Sequence, residues 1–252
     1  MGEYMIHMNE DGILQFIINR PEKRNAVSYE IMEGLEKALN ECIHNDHVKA
    51  LLITGSGDQA FCSGGDLSQF YNLKTESESY GMLSKMGSLI MKLAFLPKPT
   101  IAFINGTAIG GGCEIATACD FRIAKRTSKM GFVQGNLAIT TGWGGGTLLF
   151  ERLSASKALS LLMTARVEEA EVLHDIGFID ELVDTNVPIH EIPLIKMISL
   201  KSEGVLKAYK LQLLRKWDEK RVEENIMKEI SQCAKLWASD EHHEAVERFF
   251  NK

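Results

Sequence analysis

The period of the apolar positions changes several times along the chain, and each change marks an element. In YMIHMNEDGILQFII (4–18) two apolar runs flank Asp11-Gly12, a pair that tolerates the positive backbone angles of tight turns, so a β-hairpin is predicted. Ile31, Leu35, Ala38, Leu39 and Cys42 then recur at helical spacing behind Ser28, a good helix cap, and that helix is predicted to end near HNDH (44–47). VKALLITGSG (48–57) and PTIAFINGTA (99–108) are short apolar runs ending in glycine-containing turns, the pattern of buried strands, each expected to lead into a helix. The segment 67–96 starts polar and becomes amphipathic, which makes its KTESESYG stretch (74–81) a candidate mobile loop, with Glu76, Glu78 and Tyr80 read first as solvated loop and second as able to close over a substrate. Beyond residue 150 helical patterns dominate.

Strand, turn and helix therefore alternate through the first two thirds, which reads as an α/β fold, and the last third is helical with charges of both signs. Residues 1–199 are taken as the core and 200–252 as a helical C-terminal region of the same fold, since no proline- or glycine-rich linker separates them. The run LWASDEHHEAVERFFNK (236–252) is read as an appendage packing on another subunit.

Composition narrows the partners. A net charge of −6 over 252 residues argues against a nucleic-acid backbone as partner. The five cysteines form no CxxC pair, which fits reduced thiols rather than disulfides or a zinc site, and no metal is expected. Acids stand where a signal peptide would carry bases, and no apolar run reaches the ~18 residues of a membrane span, so a cytoplasmic place with no membrane contact is expected.

Two glycine-rich turns carry the candidate chemistry: AFCSGGDLS (60–68) and AIGGGCE (108–114). Each follows a predicted strand and opens a predicted helix, so each can present unpaired backbone N–H groups to an anion. Neither fits a P-loop or a dinucleotide fingerprint. Glu114 in the first turn of its helix suits the dipole there without any catalytic duty; burial would raise its pKa and the helix start would lower it. Asp66 at a helix start suits a cap, and His242 and His243 have no ligand-spaced partner.

NRPEKRNAVSYE (19–30), AFCSGGDLS, KPTIAFINGTAIGGGCE (98–114) and LMTARVEEAEVLHDIGFIDELV (162–183) stand in the order and at the spacing of the enoyl-CoA hydratase/isomerase, or crotonase, family, which the chain resembles over residues 4–186. The resemblance implies a spiral of ββα units with a helical C-terminal trimerisation region, as trimer or hexamer, and an acyl-CoA thioester as substrate, with no cofactor beyond the CoA of that substrate. It implies that the backbone N–H groups of Gly65 and Gly111 form an oxyanion hole and that Glu114 transfers a proton. It also places Lys23, Arg24 and Ala26 along the CoA, and makes Ala60, Cys62, Asp66, Gln134, Gly142 and Trp143 candidate substrate contacts.

The family's hydratases use a second glutamate twenty residues after the first, and there this chain has Gln134; the ungapped count is supported because Gly142, Gly144 and Gly145 fall on the glycines that follow that glutamate. A carboxamide cannot exchange a proton at neutral pH. Decarboxylation of a malonyl-type thioester needs only an oxyanion hole and one proton donor. ACDFR, FV and WGG within 118–146 are similar to the family's ethylmalonyl-CoA decarboxylase branch, so loss of CO2 from a short branched malonyl-CoA is the specific expectation. A hydratase or isomerase working with a single glutamate, and a CoA-binding oligomer without catalysis, are the alternatives.

Overall fold

The computed structural model describes residues 2–251. Ten strands form two sheets: β1 (Tyr4–Met8), β2 (Ile13–Ile18), β3 (Ala50–Gly55), β4 (Ala60–Cys62), β5 (Thr100–Ile104), β6 (Thr107–Ile109), β7 (Phe121–Lys125), β8 (Lys129–Gly131), β9 (Glu168–Glu169) and β10 (Glu181–Val183). The larger sheet runs β1-β2-β3-β5-β7-β10, the smaller β4-β6-β8-β9. Three times in succession the chain places one strand in the larger sheet and the next in the smaller, and within each sheet these strands are parallel. That repeat winds the chain into a spiral of ββα units. It also corrects the sequence reading at β3, which leads into β4 before any helix.

The hairpin forms as predicted, with Gly12 at φ 83° in its turn. Every residue of β3 and β5 is buried. Helices cover both faces of the larger sheet, so these strands carry continuous apolar runs rather than alternation. One face packs on α1 (Tyr29–His44) and α3 (Glu76–Ala94), with Leu35, Leu39, Met86 and Ile90 in the core. The other face packs on α8 (Pro193–Ser199) through Ile195 and Ile198. Ser28 Oγ accepts from the Ile31 amide and caps α1 as its position predicts.

Residues 76–81 are helix rather than loop. Thr75 is the N-cap of α3: its Oγ1 accepts from the Glu78 amide at 3.3 Å while Glu78 Oε2 accepts from the Thr75 amide at 3.0 Å, a reciprocal capping box. Glu78 is thereby committed to starting the helix, while Glu76 and Tyr80 stay exposed on it.

The shorter helices are α2 (Leu67–Phe70), α4 (Gly111–Ala118), α5 (Gly145–Arg152), α6 (Ala155–Thr164) and α7 (Ala170–Asp175), with α9 (Glu203–Leu214), α10 (Glu219–Trp237) and α11 (Asp240–Phe250) completing the C-terminal region. That region packs on the chain's own core. The apolar stripe Val222, Ile226, Ile230, Cys233 and Trp237 of α10 lies against the core. Ser79 and Trp237 donate across to Ala234 and Leu73 carbonyls. On α9, buried Lys210 donates to both Asp120 oxygens, at 2.5 and 2.7 Å, and to the Ala94 carbonyl at 3.2 Å. No helix among the described residues is long and apolar enough to cross a membrane.

Removing one partner of a buried ion pair costs most where the other charge is left without a counter-charge. Lys210→Ala is expected to lower unfolding free energy by about 1.5–3 kcal/mol in urea titrations, the scale of a lost charged hydrogen bond, because Asp120 keeps Arg152 at 3.9 Å and the Thr100 donors.

Candidate active site

The two glycine-rich turns meet. A Cβ on Gly64 (φ 94°) would stand 3.2 Å from the Gly111 amide nitrogen, so the loop after β4 lies directly on the start of α4. Among the described residues, the N–H groups of Gly65 and Gly111 have no hydrogen-bond partner. Gly111 opens α4, whose first amides are unpaired by construction, and Gly110 (φ 56°) turns the chain into it. The indole of Trp143 lies against both positions: a Cβ on Gly111 would overlap the ring, and one on Gly65 would sit 3.6 Å from it. Glycine is required at 111 because an aromatic wall occupies the place of its side chain.

Glu114 follows three residues later on α4 and is buried. Its Oε2 accepts from the amides of Trp143 (2.8 Å) and Gly145 (3.0 Å); its Oε1 accepts from Gln134 Nε2 (2.9 Å) and the Gly142 amide (3.4 Å). Burial, and next the like charge of Glu229, push its pKa up to about 7, against the pull of the Gly145, Trp143 and Gly142 amides. Burial wins the contest that sequence reasoning left open, and the opposing amides come from the 142–145 turn.

Gly65, Gly111, Glu114, Gln134, Gly142 and Trp143 all border one cavity of about 150 Å³. Most of the rest of its wall is apolar, including Phe70, Met82, Leu83 and Ile139. The C-terminal helices close it with Cys233, Trp237, His242 and Phe249. His242 Nδ1 lies 2.7 Å from the Leu137 carbonyl, which can only accept, so that nitrogen carries the proton; burial lowers the ring's pKa. The thiols of Cys62, Cys113 and Cys233 are pushed up by burial.

The remaining candidates lie outside the cavity wall. Asp66 caps α2 through the Ser68 amide and is gripped by Arg20 at 2.6 Å; burial alone would raise its carboxyl, but hydrogen bonds from Ser68 and Arg20 and the charges of Arg20 and Lys23 hold it at about 2. That carboxylate is fully engaged within the protein, so its reading as a cap describes it better than substrate contact does. Lys23 Nζ reaches Asp66 (3.4 Å) and Ser68 (3.2 Å) with its side chain 46% exposed. Arg24 is exposed at φ 50° beside buried Ala26 and shares a surface recess with Ala60. Cys62 is buried, its carbonyl against Gly112.

One residue that sequence reasoning missed bears on Glu114 directly. Glu229 of α10 accepts from the amides of Gly144 (3.1 Å), Gly146 (3.1 Å) and Thr147 (2.7 Å), and from the Thr147 hydroxyl (2.6 Å). Its signal was an acid on an apolar stripe, three residues after Ile226 and one before Ile230.

The family model described as enoyl-CoA hydratase/isomerase matches residues 8–252. The chain belongs to the enoyl-CoA hydratase/isomerase family. A crotonyl-CoA hydratase of Syntrophomonas wolfei is 34% identical over 81% of this chain and 78% of its own length. A putative enoyl-CoA hydratase/isomerase, YngF, of Bacillus subtilis is 36% identical over 66% of this chain. An ethylmalonyl-CoA decarboxylase of Xenopus laevis is 31% identical over 72%. The chain spans 63% of the Bacillus protein and 60% of the Xenopus protein. An enoyl-CoA hydratase structure from Bacillus halodurans superposes over 98% of this chain and 99% of its own, with a TM-score of 0.88 at 21% identity, which shows the shared crotonase fold. The spiral of ββα units is that fold.

Gly111→Ala should expel the Trp143 ring from beside the two free amides. The expected result is a lower thermal midpoint with altered tryptophan fluorescence.

Proposed function

We propose that this crotonase-family protein decarboxylates a short branched malonyl-CoA. The observation that carries the reading is the cavity's single carboxylate: Glu114 faces it, and Gln134 stands 2.9 Å away where hydratases carry a second glutamate.

In this reading the thioester oxygen sits between the N–H groups of Gly65 and Gly111. The bond from Cα to the substrate carboxyl carbon breaks, CO2 leaves, and the electron pair becomes an enolate whose oxyanion those amides stabilise. Glu114 then gives its proton to Cα, becomes a carboxylate and regains a proton from water. Two features of the site support this order of events. No lysine or arginine borders the cavity among the described residues, so a substrate carboxylate there has no counter-charge and its conversion to neutral CO2 is favoured. A pKa of about 7 leaves Glu114 substantially protonated at neutral pH, as a proton donor must be.

Hydration with Glu114 as the one acid–base group is the second reading, favoured by the hydratase relative whose length the chain mostly spans. Both readings take the same substrate class, an acyl-CoA, and Lys23 and Arg24 are the proposed contacts for its phosphates. Assembly into trimers or hexamers through the C-terminal region is part of the proposal.

Malonyl-, methylmalonyl-, ethylmalonyl- and crotonyl-CoA, incubated in parallel and followed by mass spectrometry, separate the readings. Decarboxylation predicts CO2 loss from ethylmalonyl-CoA with crotonyl-CoA unchanged; inert malonyl thioesters beside a hydrated crotonyl-CoA would overturn it. The pH profile gives an independent sign. As the donor in its protonated form, Glu114 supports full activity below about 7, lost as pH rises through that value; as a base, it would make activity rise there instead.

A further inference from the structure

Six successive amides, Gly142 to Thr147, are each committed to one of two carboxylates. Gly142, Trp143 and Gly145 point to Glu114; Gly144, Gly146 and Thr147 point to Glu229. The turn leads into α5, whose N-cap Gly144 has no side chain to offer, so the acid that caps this helix comes from α10. α10 braces the same turn at two further points: Ile226 fills the space beside Gly144, and Cys233 the space beside Gly142. The helix that does this also supplies Cys233 and Trp237 to the cavity wall.

We propose that Glu229 is a positioning residue for Glu114: from the C-terminal helix it fixes the shared turn whose amides hold the Glu114 carboxyl. Its negative charge also favours the protonated acid. The wall that meets the acyl group and the device that sets the proton donor are thereby one element, and docking of α10 assembles both. The other titratable groups near Glu114 are Cys113 beside it on α4, Cys233 on α10 and His242 on α11, while Gln134 on the Val133–Leu137 turn is its one side-chain hydrogen-bond donor. Burial raises both thiols, which stay neutral, and lowers His242; Glu229 is the carboxylate partner.

This inference rests on Glu114 as the proton-transfer group, and its test needs no substrate. The infrared band of the protonated Glu114 carboxyl, assigned by its loss in Glu114→Gln, is followed against pH in wild type, Glu229→Gln and Glu229→Ala. Glu229→Gln keeps the size of the side chain and removes its charge, so the midpoint is expected to move to lower pH. Glu229→Ala empties a half-buried anion nest, and added formate is expected to return its Glu114 midpoint toward the wild-type value. Where an acyl-CoA is turned over, Glu229→Ala is expected to lose on the order of 10–100-fold in kcat with a smaller change in KM, and formate to restore part of it. A midpoint unmoved or moved upward in Glu229→Gln, or no response of Glu229→Ala to formate, overturns the proposal, whatever the thermal midpoints do. Should Glu229→Ala not fold, the charge arm in Glu229→Gln still decides. An inert malonyl-CoA panel would leave these titrations intact, so the two readings fail separately.

Discussion

The site depends on the turn from Gly142 to Thr147, where a stretch of backbone gives all its amides to two acids that repel each other. Neither acid would be tolerated alone in so apolar a setting, because burying a carboxylate without donors is far more costly than the one to three kilocalories, roughly, that a single hydrogen bond returns. Beside Gln134, the donors to Glu114 come from backbone, since among the described residues no arginine or lysine reaches it. Backbone can supply them only if carboxyl groups approach closer than side chains on the turn would allow. A Cβ at Gly145 would overlap Glu114, and one at Gly146 would crowd Thr141 and Glu229. Glycine at 145 and 146 therefore lets two carboxylates share one turn, while Gly142 and Gly144 make room for Cys233 and Ile226 of α10.

Trp143 links this turn to the free amides across the cavity. Its backbone N–H holds Glu114 at 2.8 Å while its ring fills the space beside Gly65 and Gly111. A single residue thus sets the spacing between the anion-binding amides and the carboxyl group. That spacing is rigid because the indole is buried, 4% exposed, between glycines that have no side chain to yield.

The alternation of strands and helices was legible in the sequence because it is local, but the spiral came from the family resemblance: the pattern of apolar strand, glycine turn and helix start passed over β4. Ser28 was legible as a cap, as were the two turns that carry Gly65 and Gly111. Residues 76–81 were misread although the Thr75–Glu78 signature of a capping box was present, since a polar run looks the same whether its acids face solvent or close a helix. The closing wall was illegible for a different reason. Cys233, Trp237, His242 and Phe249 reach the cavity only through packing of α10 on α3, a contact between segments some 150 residues apart that no periodicity encodes. Glu229 shares that fate: its burial pattern marks it as anomalous, but nothing local says which amides it serves.

Motifs therefore locate the chemistry without fixing its direction. The motifs of the first two thirds supply two free amides and one carboxylate, a set that serves an enolate whether it arises by loss of CO2 or by addition of water. What separates those reactions is whether Glu114 rests as acid or base, and this depends on a difference between large opposing terms: burial and the Glu229 charge on one side, three amides on the other. Each opposing contribution, like Gln134 itself, lies outside the glycine turn that announces the site. Shared motifs therefore establish the family, while the environment of Glu114 is set by segments packed against them, the C-terminal helix and residue 134 among them.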